Sequence, residues 1–411
     1  MLDRTPLEAL QLTRLNQLLA EIQSQNAFYA AKLSDIALPL KSLADLQQLP
    51  LTTKQELVAH ADEHGIAGHR TYPLEQYTRM HRTSGTLGKP LTILDTTADW
   101  HWWIETWQYV LDAAQITEHD RAFMAFSFGP FIGFWSAYDA LVHRGVLVIP
   151  AGGLSTLARL QLMQQTQPTC VCCTPTYALH LAEVAQAHAI PLADLPVRSL
   201  IVAGEPGGSI PTVRERIETA WQAEVIDHSG ATEVGPWGFP TADRRGLHVI
   251  ESEFIAEFLP HESGGTHSSS NLRELALTSL GRRGMPVLRY RTGDLVSPDY
   301  AAGDDCRFVT LTGGILGRAD DMVIIRGVNI FPSSIESIIR EFPEVREFRV
   351  TAVKVGIMDD LLVEVEDPDD NPSRISDLLQ HRLGLRINVQ AVPLESLPRF
   401  EAKSKRFVDK R

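Results

Sequence analysis

Three observations predict an α/β fold, with a large N-terminal domain of mostly parallel sheets and flanking helices and a small C-terminal α+β domain. Short apolar runs alternate with helical segments between residues 146 and 227, the signature of βαβ units. Polar loops bearing Gly or Pro follow the last three of those runs. Past Gly317 the pattern changes to longer strand-like runs with two helical segments. At 411 residues and 44% hydrophobic content the chain can bury a large core and a second one.

The elements follow in order. The first hundred residues read as mainly helical, with Leu15, Leu18, Leu19 and Ile22 at helical spacing. Thr96-Thr97-Ala98-Asp99 resembles a capping box ahead of a helix over 100–114. Trp103, Trp107, Val110 and Ala114 share one face of that helix and are expected in the core. The uncharged stretch between Arg121 and Asp139 is too short to span a membrane comfortably and is broken by Ser127, Gly129, Pro130 and Gly133, so it is expected in the protein interior. Strands are then predicted over 146–149, 170–173, 200–203 and 224–227, and helices over 155–165, 177–188 and 212–221. In parallel sheets ligands gather beyond the carboxyl ends of the strands. There lie Thr174-Pro175-Thr176, Gly204-Glu205-Pro206-Gly207 and Ser229-Gly230-Ala231-Thr232-Glu233. In the last hundred residues strands are expected over 322–325, 348–355 and 361–365, and helices over 334–342 and 373–385.

A net charge of −13 argues against nucleic-acid or anionic-membrane partners, which need concentrated Lys and Arg. The start has no apolar secretory core after a basic stretch, and a cytoplasmic location is expected. Cys170, Cys172 and Cys173 sit in an apolar run; with Cys306 the only other thiol, buried reduced cysteines fit better than zinc. His60-Ala61-Asp62-Glu63-His64 matches the short HxxEH pattern, and a zinc peptidase through His60 and His64 is the minor alternative to a solvated helix end.

Arg82-Thr83-Ser84-Gly85-Thr86-Leu87-Gly88-Lys89-Pro90 gathers hydroxyls, glycines and a lysine. Such a loop can turn backbone N–H groups and an ammonium toward a phosphate, or can simply be a polar turn. It is not a Walker loop, since two residues rather than four separate Gly85 from Gly88-Lys89. Downstream, in order, come Gly204-Glu205-Pro206, Ala231-Thr232-Glu233, Tyr290-Arg291-Thr292-Gly293-Asp294, Gly317-Arg318-Ala319-Asp320-Asp321, Arg326-Gly327-Val328-Asn329-Ile330-Phe331-Pro332 and Pro398-Arg399-Phe400-Glu401-Ala402-Lys403. With these motifs the chain resembles the adenylate-forming superfamily of acyl-CoA synthetases. Leu49-Pro50-Leu51-Thr52-Thr53-Lys54 and the ending Val408-Asp409-Lys410-Arg411 resemble its phenylacetate–CoA ligase branch.

The resemblance implies ATP-dependent activation of a carboxylic acid, aryl or arylacetic, to an acyl-adenylate, then thioester formation with coenzyme A. It implies a domain boundary at 317/318 and a mobile small domain. Thr83, Ser84, Gly85, Thr86, Gly88 and Lys89 match the loop that holds the β- and γ-phosphates. Gly204, Glu205 and Pro206, with Ser229 and Gly230, match the segments beside adenine. Thr232 matches an α-phosphate hydroxyl and Glu233 the Mg²⁺ carboxylate. Asp294 matches the ribose acceptor, helped by Arg318. Lys403 matches the catalytic lysine, Asp320 the hinge and Gly327 the coenzyme A tunnel. Phe128, Phe131, Trp237 and Phe239, near Phe126 and Phe134, flank the acyl pocket expected from this match, or are core. The alternative acceptor is a carrier-protein phosphopantetheine thiol in trans, and a homodimer is left open.

The chain also departs from the family. Ser229 stands where a stacking tyrosine is usual, Leu87 where the loop usually has threonine, and Ala402 where glycine precedes the lysine. If residue 402 needs a positive φ, alanine costs roughly 1 kcal/mol there. Trp135-Ser136-Ala137-Tyr138-Asp139 replaces a His-Tyr-Gly stretch.

Overall fold

The computed structural model describes residues 4–83, 90–126, 128–205, 207–260, 271–300, 306–319, 323–326, 328–355, 358–399 and 406–411. It opens on helices α1 (Arg4–Gln25), α2 (Ala27–Lys32) and α3 (Lys54–His64). Leu15, Leu18, Leu19 and Ile22 are buried together with Tyr29, Leu46 and Leu288, so the helical spacing reports a packed face. Thr53 and Glu56 start α3 with a reciprocal capping box.

Strands β1 (Tyr77–Arg82) and β2 (Thr92–Thr96) form an antiparallel hairpin. Helix α4 (Thr97–Ala113) starts earlier than its apolar face suggests, because the Thr96–Asp99 capping box fixes its first turn. Trp103, Trp107 and Val110 are buried on it, as expected.

A five-stranded parallel sheet follows. It contains β3 (Arg121–Met124), β4 (Leu147–Pro150), β5 (Cys170–Cys173), β6 (Ser199–Val202) and β7 (Glu224–Asp227), in the order β4-β3-β5-β6-β7. Helices α5 (Ile132–His143), α6 (Thr156–Thr166), α7 (Pro175–Ala187) and α8 (Pro211–Trp221) connect the strands. Strand β3 was not foreseen as a strand, since its four residues show no alternation. The cause is burial on both faces. Ala122, Met124, Cys170 and Cys172 pack with one core cluster, while Phe123, Val171, Cys173 and Leu200 pack with the other. All four cysteines are free thiols. Helix α7 begins at Pro175, ahead of the expected start, because proline suits the first turn and Thr174 caps it by accepting from the Tyr177 N–H at 3.2 Å.

Two antiparallel sheets come next. One comprises β8 (Ser229–Ala231), β9 (Gly235–Pro240), β10 (Gly246–Val249), β14 (Pro298–Asp299) and β15 (Thr310–Thr312). The other comprises β11 (Phe254–Pro260), β12 (Arg273–Ser279), β13 (Tyr290–Val296) and β16 (Gly317–Arg318). Residues 229–231 were expected as loop; β8 pairs with β9 instead. Strand β9 contains two glycines and two prolines yet is buried at every position, so tertiary burial overrides a loop-like composition.

The C-terminal unit has its own core, from Val323 to Val389. It contains the hairpin β17 (Val323–Ile325) and β18 (Val328–Ile330), then α9 (Pro332–Ile339), β19 (Phe348–Val355), β20 (Met358–Val365), α10 (Pro372–Leu383), β21 (Asn388–Ala391) and β22 (Phe407–Asp409). Its sheet order is β21-β20-β19-β22. Among the described residues no helix is long and apolar enough to cross a membrane.

Candidate active site

The site assembles beyond the carboxyl ends of the parallel strands. After β5, Thr176 donates its backbone N–H to Glu205 Oε1 at 2.8 Å, tying together the loops that follow β5 and β6. Gly204 has φ +96° and Gly207 φ +154°, and a Cβ on Gly207 would lie 2.6 Å from Pro175 Cβ. Only glycine fits so close a backbone approach at that angle. At the end of β7, Asp227 accepts from the Ser209 hydroxyl at 2.5 Å. Burial pushes its carboxyl up to about 6, against the pull of Ser209 and the His228 N–H. The next side chain, His228, is pushed down to about 4 by burial, and its Nδ1 lies 2.9 Å from the Gly238 carbonyl. Ser229 is buried on β8 opposite Gly238, and Gly230 lies so near Gly235 that a Cβ would come 3.1 Å from its carbonyl oxygen.

Glu233 is the electrostatic centre. Lys54 Nζ lies 3.0 Å from its Oε1. The Tyr290 hydroxyl is hydrogen-bonded to it, and burial and then the Glu233 charge hold that phenol well above its usual range. Backbone pairing explains the meeting. The Thr52 N–H donates to the Arg289 carbonyl at 3.0 Å and the Arg291 N–H donates to the Thr52 carbonyl at 2.9 Å, so the segment before α3 runs beside β13. Lys54 closes the Leu49–Lys54 motif, and a cation just inside the α3 capping box is its only local signal.

Thr232 is held from behind. Arg282, fully buried, donates through Nη1 to the Thr232 carbonyl at 2.7 Å and through Nε to Asp95 Oδ1 at 2.8 Å. Asp95 lies on β2, so this pair connects the β1–β2 hairpin to Thr232. Neither residue belongs to a motif, and only tertiary packing joins them. Thr83 closes the neck of that hairpin: its N–H donates to the Leu91 carbonyl at 3.0 Å and its hydroxyl accepts from the Leu91 N–H at 2.9 Å.

Asp294 on β13 and Arg318 on β16 are register partners, joined by Arg318 Nη1 to Asp294 Oδ1 at 3.2 Å. Arg326 forms an ion pair with Asp360. Ser84, Gly85, Thr86, Gly88, Lys89, Pro206, Asp320, Gly327 and Lys403, with Leu87 and Ala402, lie outside the described residues.

The four pocket aromatics fall into different settings. Phe128 is half-buried beside Trp135 and Tyr138, with ring centroids 4.8 and 5.7 Å away. Phe131 precedes α5 and is 42% exposed. Trp237 and Phe239 are buried on β9, and Phe239 is ringed by Tyr109, His248 and Phe308. A cavity of about 770 Å³ between α7, α8 and residues 340–343 is lined by none of the motif residues named above.

His60 and His64 stack with centroids 4.0 Å apart, and His64 Nδ1 lies 3.1 Å from the His60 carbonyl. Among the described residues the one group spaced to share a metal is Glu344, Asp367 and Asp369, elsewhere.

The AMP-binding enzyme family model matches residues 11–250, and the AMP-binding enzyme C-terminal domain model matches residues 327–411. Phenylacetate-coenzyme A ligase of Escherichia coli is 30% identical over 98% of this chain and 95% of its own length. That of Thermus thermophilus is 30% identical over 89% and 83%. The crystal structure of 2-hydroxyisobutyryl-CoA ligase in its postadenylation state, with 2-HIB-AMP, superposes with a TM-score of 0.91 at 25% identity, over 100% of this chain and 91% of that one. In its thioesterification state, with 2-HIB-AMP and CoA, the same ligase gives 0.73 at 26% identity, over 99% and 90%. The chain belongs to the AMP-binding enzyme family, as an AMP-forming acid–coenzyme A ligase that uses ATP and Mg²⁺.

Proposed function

We propose that the acid is an aryl or arylacetic acid, and that the residues gathered around Glu233 carry its activation. The observation that carries the placement of the activation chemistry is the Lys54–Glu233–Tyr290 contact at the mouth of the parallel sheet, beside the Thr232 segment. Adenylation brings a carboxylate against the anionic α-phosphate, so positive charge and hydrogen-bond donors must converge where charge builds. In this reading a carboxylate oxygen attacks the α-phosphorus and pyrophosphate leaves; the coenzyme A thiol then displaces AMP.

Each residue has a proposed part. Thr83, Ser84, Gly85, Thr86, Gly88 and Lys89 hold the leaving phosphates. Thr232 donates its hydroxyl to the α-phosphate, its backbone held by Arg282. Gly204, Glu205, Pro206, Ser229 and Gly230 border the adenine, and Asp294 with Arg318 holds the ribose. Lys403 bridges acid and phosphate. Asp320 is the hinge of a small domain over 318–411, and Gly327 faces the thiol. Glu233 suits Mg²⁺, which takes one or two protein carboxylates plus phosphate oxygens, and the Lys54 ammonium already rests on it as a cation. When bound, Mg²⁺ neutralises phosphate charge.

The acid class rests on Phe128 and its neighbours Phe126, Phe134, Trp135 and Tyr138, an aromatic group that can border a flat ring. Phe131, Trp237 and Phe239 complete the proposed wall. A panel of aryl, arylacetic and short-chain acids, scored by pyrophosphate release with Mg-ATP, tests it. Release with short-chain acids alone overturns the aryl assignment. Offering coenzyme A against a carrier protein bearing phosphopantetheine then compares the two thiols.

A further inference from the structure

Arg406 precedes β22 and is buried between the two units. Its Nε and Nη2 donate to the Glu347 carboxylate at 2.5 and 3.0 Å, and its guanidinium lies 5.3 Å from the Phe348 ring centre. Its Nη1 reaches Glu336 Oε1 on α9 at 3.4 Å and, across the interface, Thr176 Oγ1 on α7 at 3.3 Å. Thr176 is the residue whose backbone N–H holds Glu205. One guanidinium therefore links the C-terminal unit to the loop expected beside adenine.

Charge makes that link consequential. Glu336, Glu347 and Glu205 all act on Arg406. Burial disfavours its charge, yet the Glu347 hydrogen bond and these carboxylates hold its pKa above the ordinary value. Burial also pushes Glu336 up, against the pull of Arg406 and Arg340, with Glu205 and Glu347 adding to the rise. Without Arg406, carboxylates from both units would face one another with less compensation, and like charges repel. The arrangement of the two units is the one that superposes at 0.91 on a postadenylation state, not the one at 0.73 on a thioesterification state.

We propose that Arg406 is a positioning residue: it clamps the C-terminal unit onto Thr176, and through Thr176 keeps Glu205 at the nucleotide while the acid is adenylated. The inference rests on the ligase reading of the site. Breaking the clamp weakens the first half-reaction and spares the second, for which the unit must leave this position.

Two full-length variants test it. Arg406→Gln removes the charge. Thr176→Val removes the acceptor on the other side and leaves every contact inside the C-terminal unit intact. Adenylation is read by ATP–pyrophosphate exchange with phenylacetate, and thioester formation by adding coenzyme A to synthetic phenylacetyl-adenylate. Exchange should fall about tenfold in Arg406→Gln and about threefold in Thr176→Val, with thioester formation unchanged or faster. Equal loss in both half-reactions, or no loss of exchange in either variant, overturns the clamp. Small-angle scattering of the full chain with Mg-ATP needs no acid. If the wild type fails to exchange with phenylacetate, phenylacetate is not the acid, and scattering still decides: both variants should be more extended than the wild type, and superimposable curves overturn the clamp.

Discussion

Lys54 Nζ lies 3.0 Å from Glu233 Oε1, so the carboxylate matched to Mg²⁺ is already neutralised by a lysine from the N-terminal segment. A carboxylate this buried is costly without a partner. Lys54→Met should therefore lower stability by about 1 kcal/mol, discounted because Lys54 is partly exposed. Mg²⁺ should recover more of the melting temperature in the variant than it adds to the wild type. Equal Mg²⁺ shifts in the two proteins would refute the compensation.

Lys403→Ala should reduce ATP–pyrophosphate exchange by about a hundredfold or more, since in the proposed site Lys403 supplies charge stabilisation at the α-phosphate. ATP binding, measured by calorimetry, should stay within about threefold. Normal exchange in the variant sinks the assignment of the catalytic lysine. This variant retains Arg406 and Thr176, so its result is separable from the fate of the clamp.

Asp320→Pro should slow thioester formation more than exchange if Asp320 is the proposed hinge, because proline restricts φ. Matching losses in the two half-reactions would reject Asp320 as hinge.

Asp294→Asn keeps the side-chain shape and the contact with Arg318 but loses an ionised acceptor. The KM for ATP should rise about tenfold, with the melting temperature nearly unchanged. An unaltered KM would remove Asp294 from the ribose site.

Asp227 and His228, adjacent in sequence, have opposite effects on the pH dependence of stability. The folded Asp227 carboxyl is raised to about 6, so the native state binds more protons than the unfolded chain below that pH, and its contribution falls as pH rises from about 4 to 6. His228 is lowered to about 4, so the unfolded chain binds more protons, and its contribution is lost as pH falls from about 6.5 to 4. Relative to the wild type, Asp227→Asn should gain stability as pH rises through this window. His228→Gln should gain as pH falls. Chemical unfolding between pH 4 and 7 reads both slopes, and parallel curves would contradict them.

Much of the fold was legible because local pattern and tertiary environment agree. The strands 170–173 and 224–227 stand where their apolar runs end, and the Thr96–Asp99 capping box starts α4. Where the two disagree, the pattern failed. Strand β3 shows no alternation because both faces are covered, and β9 carries its prolines and glycines in a fully buried strand. The candidate site was legible as an ordered set of motifs, yet Arg282 and Asp95, which brace Thr232, left no trace in the sequence.

The sequence by itself determined the α/β class and the family, and pointed to a candidate site beyond the parallel strands, because each depends on short segments read in order. Tertiary structure alone decided which charges meet. Lys54 reaches Glu233 only because the segment around Thr52 pairs with β13, and Arg406 reaches Thr176 only because the C-terminal unit packs on α7. Contacts between residues 179 or 230 positions apart are set by chain topology and by the burial that makes an unpaired charge costly, and neither leaves a local pattern.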